Sequence, residues 1–64
     1  MNSLYIYFYD NHYIRIEANE LLPRLGNNIK SLIDRLAEGP LTTIQTTEKT
    51  YYVFTDKINY LEVF

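Results

Sequence analysis

The sequence predicts an α+β domain in which one helix packs on one face of a single antiparallel sheet of four to five strands, in the order ββαβββ. Three observations lead to this fold class. Residues 19–38 repeat apolar side chains at helical spacing, the segments on either side alternate as strands do, and turn-forming residues separate those segments. At 64 residues the chain is expected to form one domain that spans residues 1–64.

Residues 4–9 and 13–17 are predicted to form the first hairpin. Successive side chains of a strand point to opposite faces, so one face of this hairpin is apolar and the other carries tyrosines and charge. The apolar members are Leu4, Ile6, Phe8, Ile14 and Ile16. Asp10 and Asn11 tolerate the positive φ that a tight turn requires, so we expect the chain to reverse there.

Residues 19–38 show the long helical pattern on which the prediction depends. The apolar stripe, with spacings of three and four, consists of Leu22, Leu25, Ile29, Leu32 and Leu36. Asn19 is the expected N-cap because its side-chain oxygen can accept from free amides of the first turn. Gly39, followed by Pro40, is expected to end the helix.

Gly26 weakens the middle of this helix, because glycine costs about 1 kcal/mol relative to alanine in a helix interior. Two interpretations follow. Either the helix continues through Gly26, or a short turn over residues 20–25 precedes a main helix that starts near Asn28. The unbroken apolar stripe favours the continuous helix.

Three later segments are predicted as strands: residues 41–47, 50–55 and 59–64. The alternation does not decide which side of the middle segment is buried, Tyr51 with Val53 or Tyr52 with Phe54. It also leaves open whether the last strand pairs within the chain or with a second copy.

One helix covers only one face of the sheet, so the face that carries tyrosine is left for function. We predict a protein interface at Tyr5, Tyr7, Tyr9, Tyr13 and Arg15, joined by tyrosines of the later strands. Contiguous aromatic patches are uncommon on monomers, and tyrosine and arginine are enriched where proteins bind each other. Two alternatives remain: half-exposed tyrosines without a binding role, and rings that stack on the bases of a single-stranded nucleic acid.

No constellation of catalytic or metal-binding residues stands out. His12 is the single histidine and is predicted to be a solvated turn residue, and the chain contains no cysteine. No nucleophile motif or phosphate-binding loop is present either. We therefore expect a protein that is not an enzyme and that uses no cofactor and no metal.

The charge and hydropathy patterns narrow the class of partner. The net charge of −2 is not the basic balance of a general nucleic-acid binder. No stretch approaches the roughly 18 apolar residues of a membrane span. The expected location is the cytoplasm, without a membrane partner.

Residues 49–62 resemble the closing strand pair of LytTR-type DNA-binding domains. This strand–turn–strand pattern is widespread, and the basic residue usual before that pair has no clear counterpart here. We carry no function over from that family.

These observations favour a small protein-binding module that forms a homodimer. Size and composition are typical of accessory proteins of phages or other mobile elements that inhibit or adapt a host protein. The alternative is a small nucleic-acid-binding regulator that uses the tyrosine-rich sheet face.

Overall fold

The chain is described by a computed structural model that covers residues 2–22 and 28–64. In that part of the chain, no helix has the length and apolar character needed to cross a bilayer. The regular elements, in chain order, are β1 (Ser3–Phe8), β2 (Tyr13–Glu17), a 3-10 turn (Ala18–Glu20), α1 (Ile29–Glu38), β3 (Leu41–Gln45), β4 (Thr50–Phe54), a second 3-10 turn (Thr55–Lys57) and β5 (Ile58–Val63).

The strands form two antiparallel sheets, one of three strands in the order β2-β1-β5 and one of two strands, β3-β4. The α+β class with one helix is confirmed, but the predicted single sheet of four to five strands is wrong. The prediction assumed that strands joined by short turns pair with each other. The 3-10 turn Thr55–Lys57 instead carries the chain from β4 into the other sheet, where β5 pairs with β1.

Both sheets and the helix enclose one hydrophobic core. Its buried apolar members are Leu4, Ile6, Ile16, Leu21, Ile29, Leu32, Leu36, Ile44 and Val53. The apolar face of β1 and β2 is therefore inward, as predicted, and Val53 with the half-buried Tyr51 is the inward pair of β4. The ten-residue α1 does not form this core alone, since the β3–β4 hairpin adds the buried side chains of Ile44 and Val53.

The helix begins later than predicted. Asn28 caps α1: its Oδ1 accepts from the Ser31 backbone N–H at 2.8 Å, and the Ser31 Oγ accepts from the Asn28 N–H at 3.0 Å. This reciprocal pair satisfies two amides that the first turn leaves free. The alternative of a main helix that starts near Asn28 is correct, and Asn19 as the N-cap is wrong.

The predicted continuous helix is wrong for the residues before residue 22, which are not α-helical. Leu21 has extended backbone, with ψ of 134°, and forms an isolated bridge with Thr46. This bridge buries Leu21 against the core without helical geometry. The parts of the helix prediction that rest on Leu25 and Gly26 lie outside the described residues.

Gly39 ends α1, as predicted, and allows β3 to start at once. Its φ of 52° is a conformation that side chains disfavour, and an added Cβ would lie 2.6 Å from the Thr55 Oγ1. Thr55 approaches because its backbone N–H donates to the Pro40 carbonyl at 2.8 Å. A residue without a side chain is therefore required between the helix and the β3–β4 hairpin.

Candidate functional site

Nine side chains form a three-by-three grid on the face of the three-stranded sheet that points away from the core. The strand register defines its rows. They are Tyr13–Tyr7–Tyr60, Arg15–Tyr5–Glu62 and Glu17–Ser3–Phe64, each read from β2 through β1 to the β5 side. We call these nine residues the aromatic grid.

The rings of the aromatic grid contact one another. Tyr7 stacks on Tyr60 with 4.6 Å between ring centroids and 14° between planes. Tyr7 also lies 5.7 Å from Tyr13, and Tyr5 meets Phe64 edge to face at 5.4 Å. Such pairs contribute about 0.5–1.5 kcal/mol each beyond simple burial. The rings therefore hold one another in defined orientations before any partner binds.

The charged corner of the aromatic grid is internally paired. The Ser3 hydroxyl donates to the Glu17 Oε2 at 2.8 Å, and the Arg15 guanidinium forms an ion pair with the same carboxylate. The hydrogen bond from Ser3, followed by the contacts with Arg15, lowers the pKa of Glu17. The Arg15 side chain nevertheless remains 57% exposed, so it can meet a second carboxylate.

Glu62 lies beside the centre of the grid and affects Tyr7. Hydrogen bonding to the Glu62 carboxylate, then desolvation, then the negative charge of Glu62 raise the pKa of Tyr7 to about 12. All three effects favour the neutral phenol over the phenolate. Tyr7 is therefore uncharged throughout the physiological range.

The outer members of the grid are open to solvent. Tyr13 is 60% exposed, Tyr60 50% and Phe64 65%, whereas Tyr5 and Tyr7 are half-buried between them. No element of residues 2–22 or 28–64 packs over this face. Exposed apolar patches of this kind often mark interaction surfaces.

Four of the five residues predicted from the sequence lie together in the grid: Tyr5, Tyr7, Tyr13 and Arg15. Tyr9 does not. The strand β1 ends at Phe8, and the register with β5 shifts between Tyr7 and Phe8. Tyr9 therefore leaves the alternation and lies at a different surface, where it is 68% exposed.

The residues of the third column were not named in the sequence prediction, which joined only unspecified tyrosines of the later strands to the site. This column consists of Tyr60, Glu62 and Phe64, which follow β1 on its other side. Their alternation with Leu61 and Val63 is visible in the sequence. What the sequence lacks is a sign that β5 pairs with β1, because that pairing joins the two ends of the chain.

A second concave surface, which we call the β4 groove, lies between β4 and the tip of the β1–β2 hairpin. Its volume is about 690 Å³, within the range of about 300–1,000 Å³ common for binding clefts. The lining residues are Phe8, Tyr9, Asp10, Ile14, Tyr51, Tyr52, Val53, Phe54 and Lys57. The walls are therefore mainly aromatic and aliphatic, with one carboxylate and one amine.

His12 lies at the hairpin tip, where it is 84% exposed. Its backbone N–H donates to the Asp10 Oδ1 at 3.0 Å, and its Nδ1 lies 3.0 Å from the Asp10 Oδ2. These hydrogen bonds lower the pKa of Asp10 and tie the turn together. Within residues 2–22 and 28–64, no three acidic, histidine or cysteine side chains lie close enough together to hold a metal ion.

Comparisons of the chain with models of protein families, with curated proteins and with solved structures found no match. Any statement about function therefore rests on the two surfaces described above.

Proposed function

We propose that the chain is a non-enzymatic protein-binding module that pairs with a second copy of itself through the aromatic grid. The observation that carries this proposal is the grid itself, five aromatic rings ordered by mutual contact on an uncovered sheet face. Ordered rings lose little conformational freedom on binding, and aromatic residues dominate the binding energy of many interfaces.

The charge pattern of the middle row supports a second copy as the partner. Arg15 and Glu62 flank Tyr5 at opposite edges of the sheet, so the row runs from positive to negative. In a face-to-face pair, a twofold axis parallel to β1 places β2 of one copy over β5 of the other. Arg15 then faces Glu62 of the second copy, and the same contact occurs twice.

A face-to-face pair could also form about a twofold axis that runs across the strands. The charges of the middle row disfavour this second arrangement. An axis that crosses the strands through Tyr5 places Arg15 over Arg15 and Glu62 over Glu62. Like charges in close contact oppose association. The grid is therefore self-complementary in one orientation and not in the other, and sheets packed in this way lie about 30° from parallel.

Nine residues are fewer than the 20–30 that each partner contributes to a standard interface. We therefore expect a weak dimer, with a dissociation constant in the micromolar range. Self-association should be measured by sedimentation at several concentrations rather than at one.

The test is a charge exchange. Arg15→Glu and Glu62→Arg should each weaken self-association by about tenfold, because attraction becomes repulsion at both pairs. The double variant, and an equimolar mixture of the two single variants, should both return to the affinity of the unmodified chain. Lys30→Glu is the matched control, since Lys30 is on α1 with its side chain 76% exposed.

Three outcomes would count against the proposal. The unmodified chain could stay monomeric at hundreds of micromolar, both single variants could associate as well as Lys30→Glu, or the double variant could fail to recover. A mixture that associates much more tightly than the unmodified chain would point to the crossed axis. Added salt should weaken the dimer if opposite charges meet, because it screens their attraction.

The alternative of a nucleic-acid-binding regulator receives less support. The grid holds two carboxylates, those of Glu17 and Glu62, against the one guanidinium of Arg15, so its formal net charge is negative. Proteins that stack single-stranded bases combine aromatic rings with a positively charged groove. Oligonucleotide binding with a steep dependence on salt would reverse this ranking.

The finer predictions of a cytoplasmic accessory protein from a phage or other mobile element, and of an inhibited or adapted host protein, remain predictions. Affinity purification from the native host, with the unmodified chain and Tyr7→Ala in parallel, tests them. A host protein retained only by the unmodified chain would support them.

A further inference from the structure

We propose that the β4 groove binds an extended, mainly apolar peptide segment of another protein, which adds to the outer edge of β4 as a new strand. This site is separate from the aromatic grid and does not depend on dimerisation. Four lines of observation lead to it: the backbone of β4, the charges and contacts at the other strand edges, the walls of the groove and the amine of Lys57.

The backbone of β4 leaves hydrogen-bonding groups unused on its outer side. The β3–β4 ladder is bounded by the hydrogen bonds Thr46 N–H to Lys49 and Thr55 N–H to Pro40. Hydrogen-bonded and non-hydrogen-bonded pairs alternate in an antiparallel ladder, so Thr50, Tyr52 and Phe54 direct their N–H and C=O groups away from β3. Among the described residues, no strand pairs with that edge.

The other exposed edges are protected and the β4 edge is not. Both β2 and β5 carry charged residues, which discourage strand addition. On β3, the Thr43 carbonyl accepts from the Arg35 guanidinium at 3.1 Å, and the flanking Thr46 bridges to Leu21. β4 reads Thr-Tyr-Tyr-Val-Phe and has neither charge nor proline.

The groove provides walls for the side chains of an added strand. Such a strand would continue the plane of β3 and β4, and its side chains would alternate between the two faces. On the inner face they would meet Phe8 and Ile14, and on the outer face Tyr52 and Phe54, which are 68% and 60% exposed. This is the usual form of peptide recognition by strand addition, in which the backbone gives affinity and the pockets give specificity.

Lys57 adds a preference for a negative charge on the peptide. Its side chain lines the groove, and its amine has no ion pair or hydrogen bond with the described residues. The carboxylate of Asp10, also in the groove, is occupied by His12. An acidic residue or a terminal carboxylate on the bound segment would pair with Lys57.

A second copy of the chain is a poorer occupant than a peptide. The β4 strand of another copy would bring its own β3 and its own hairpin tip with it. The groove already has the hairpin tip of the first copy as its far wall, at Tyr9 and Asp10. We therefore expect a single extended segment to enter the groove more readily than a strand that brings a folded hairpin with it.

The experiment selects linear octapeptides from a random display library against the unmodified chain. Selected peptides should alternate apolar residues, carry an acidic residue, and bind with a dissociation constant below about 1 mM by fluorescence polarisation.

Tyr52→Pro removes one outward N–H and the side chain, while the matched Tyr52→Ala removes only the side chain. Because that N–H is not used in the ladder, proline is tolerable at this edge position. Binding should be at least tenfold weaker to Tyr52→Pro than to Tyr52→Ala.

N-methylated peptides test the same contact on the unmodified chain and do not depend on how Tyr52→Pro folds. Alternate amides of an added strand face β4, and the others face away. Methylation of the amides that face β4 should abolish binding, and methylation of the other set should leave binding unchanged. Lys57→Ala should remove the preference for an acidic residue. The proposal would be overturned if no peptides were enriched, if peptides bound equally to the two Tyr52 variants, or if methylation of either set of amides had the same effect. It would also fail if Tyr52→Pro abolished self-association while Arg15→Glu did not, since a second copy would then occupy the groove.

Discussion

The two faces of the β2-β1-β5 sheet use the same strands and the same alternation, yet they reach order in different ways. On the inner face, Leu4, Ile6 and Ile16 are fully buried beneath α1 and the β3–β4 hairpin. On the outer face, Tyr7 and Tyr60 stack on each other with nothing of the described chain above them. The inner face is held by burial and the outer face by contacts between neighbouring rings.

Under the proposed function, this difference separates stability from recognition within one sheet. Burial of an aliphatic side chain contributes roughly 1.5–3 kcal/mol, so the inner face supplies most of the free energy of folding. The outer face contributes less to folding and leaves much of its apolar area exposed. Substitutions on the two faces should therefore change different measured quantities.

Leu32→Ala should give the largest loss of stability. Leu32 is fully buried under the inner face, and such truncations leave a cavity that costs about 2–5 kcal/mol. Urea denaturation measures the change, with Ile33→Ala as the matched control because Ile33 is half-buried on the same helix. A loss below about 1 kcal/mol for Leu32→Ala would mean that the inner face does not hold the fold.

Gly39→Ala should cost about 1–3 kcal/mol, because the Cβ forces a residue into a region of φ and ψ that glycine almost alone adopts. The new Cβ would also displace the Thr55 hydroxyl. The connection at Gly39 lets α1 and the β3–β4 hairpin pack on the same core. Thermal unfolding of Gly39→Ala and of the double variant Gly39→Ala/Thr55→Ala separates backbone strain from the clash. Unchanged stability in Gly39→Ala would show that neither the positive φ nor the nearby Thr55 hydroxyl requires glycine at this position.

Tyr7→Ala should show most clearly that the outer face affects self-association more than it affects the free energy of unfolding. It removes the ring that contacts both Tyr60 and Tyr13, so the free energy of unfolding should fall by about 1–3 kcal/mol, less than for Leu32→Ala, while self-association weakens at least tenfold. Denaturation and sedimentation of the same samples give both numbers. Tyr52→Ala removes an exposed tyrosine outside the grid and should leave self-association unchanged. Equal effects of the two variants on self-association would remove the distinction between the faces.

Glu62→Gln should have the smallest effect, a fall in the pKa of Tyr7 from about 12 toward the ordinary value of 10.0. Because the folded-state pKa is raised, the associated stability is complete below pH 10 and is lost as pH rises through the folded-state pKa. The unmodified chain should therefore lose stability more steeply than Glu62→Gln over that window. Titration of tyrosinate absorbance measures the shift, with Glu48→Gln as the control. Identical titrations of the two variants would contradict the contact between Glu62 and Tyr7.

Local patterns predicted the local features of this fold. Alternation placed the apolar residues of β1 and β2 inward and put Tyr5, Tyr7, Tyr13 and Arg15 on one face. Gly39 marked the end of the helix because few other residues adopt its φ. These features depend on neighbours within a few positions of the chain, and a sequence reports such neighbours directly.

The errors arise where distant segments compete. The apolar pattern continues through Leu21, but a bridge to Thr46 holds that residue in extended backbone, so the helix starts later. Pairing of β5 with β1 rather than β4 divides the strands between two sheets and completes the grid with Tyr60. The displacement of Tyr9 follows from the irregular register next to Phe8. None of these choices has a local signature.

The uncharged edge of β4 has a consequence for the chain when no partner is present. Five consecutive residues with high strand propensity and no charge are the type of segment that stacks into cross-β fibrils. A ligand that covers this edge would then act as a solubilising agent as well as a binding partner. The total concentration at which the chain stays dispersed would then rise with the fraction of β4 edges that the ligand covers. The amount of ligand would therefore have to rise with the amount of chain.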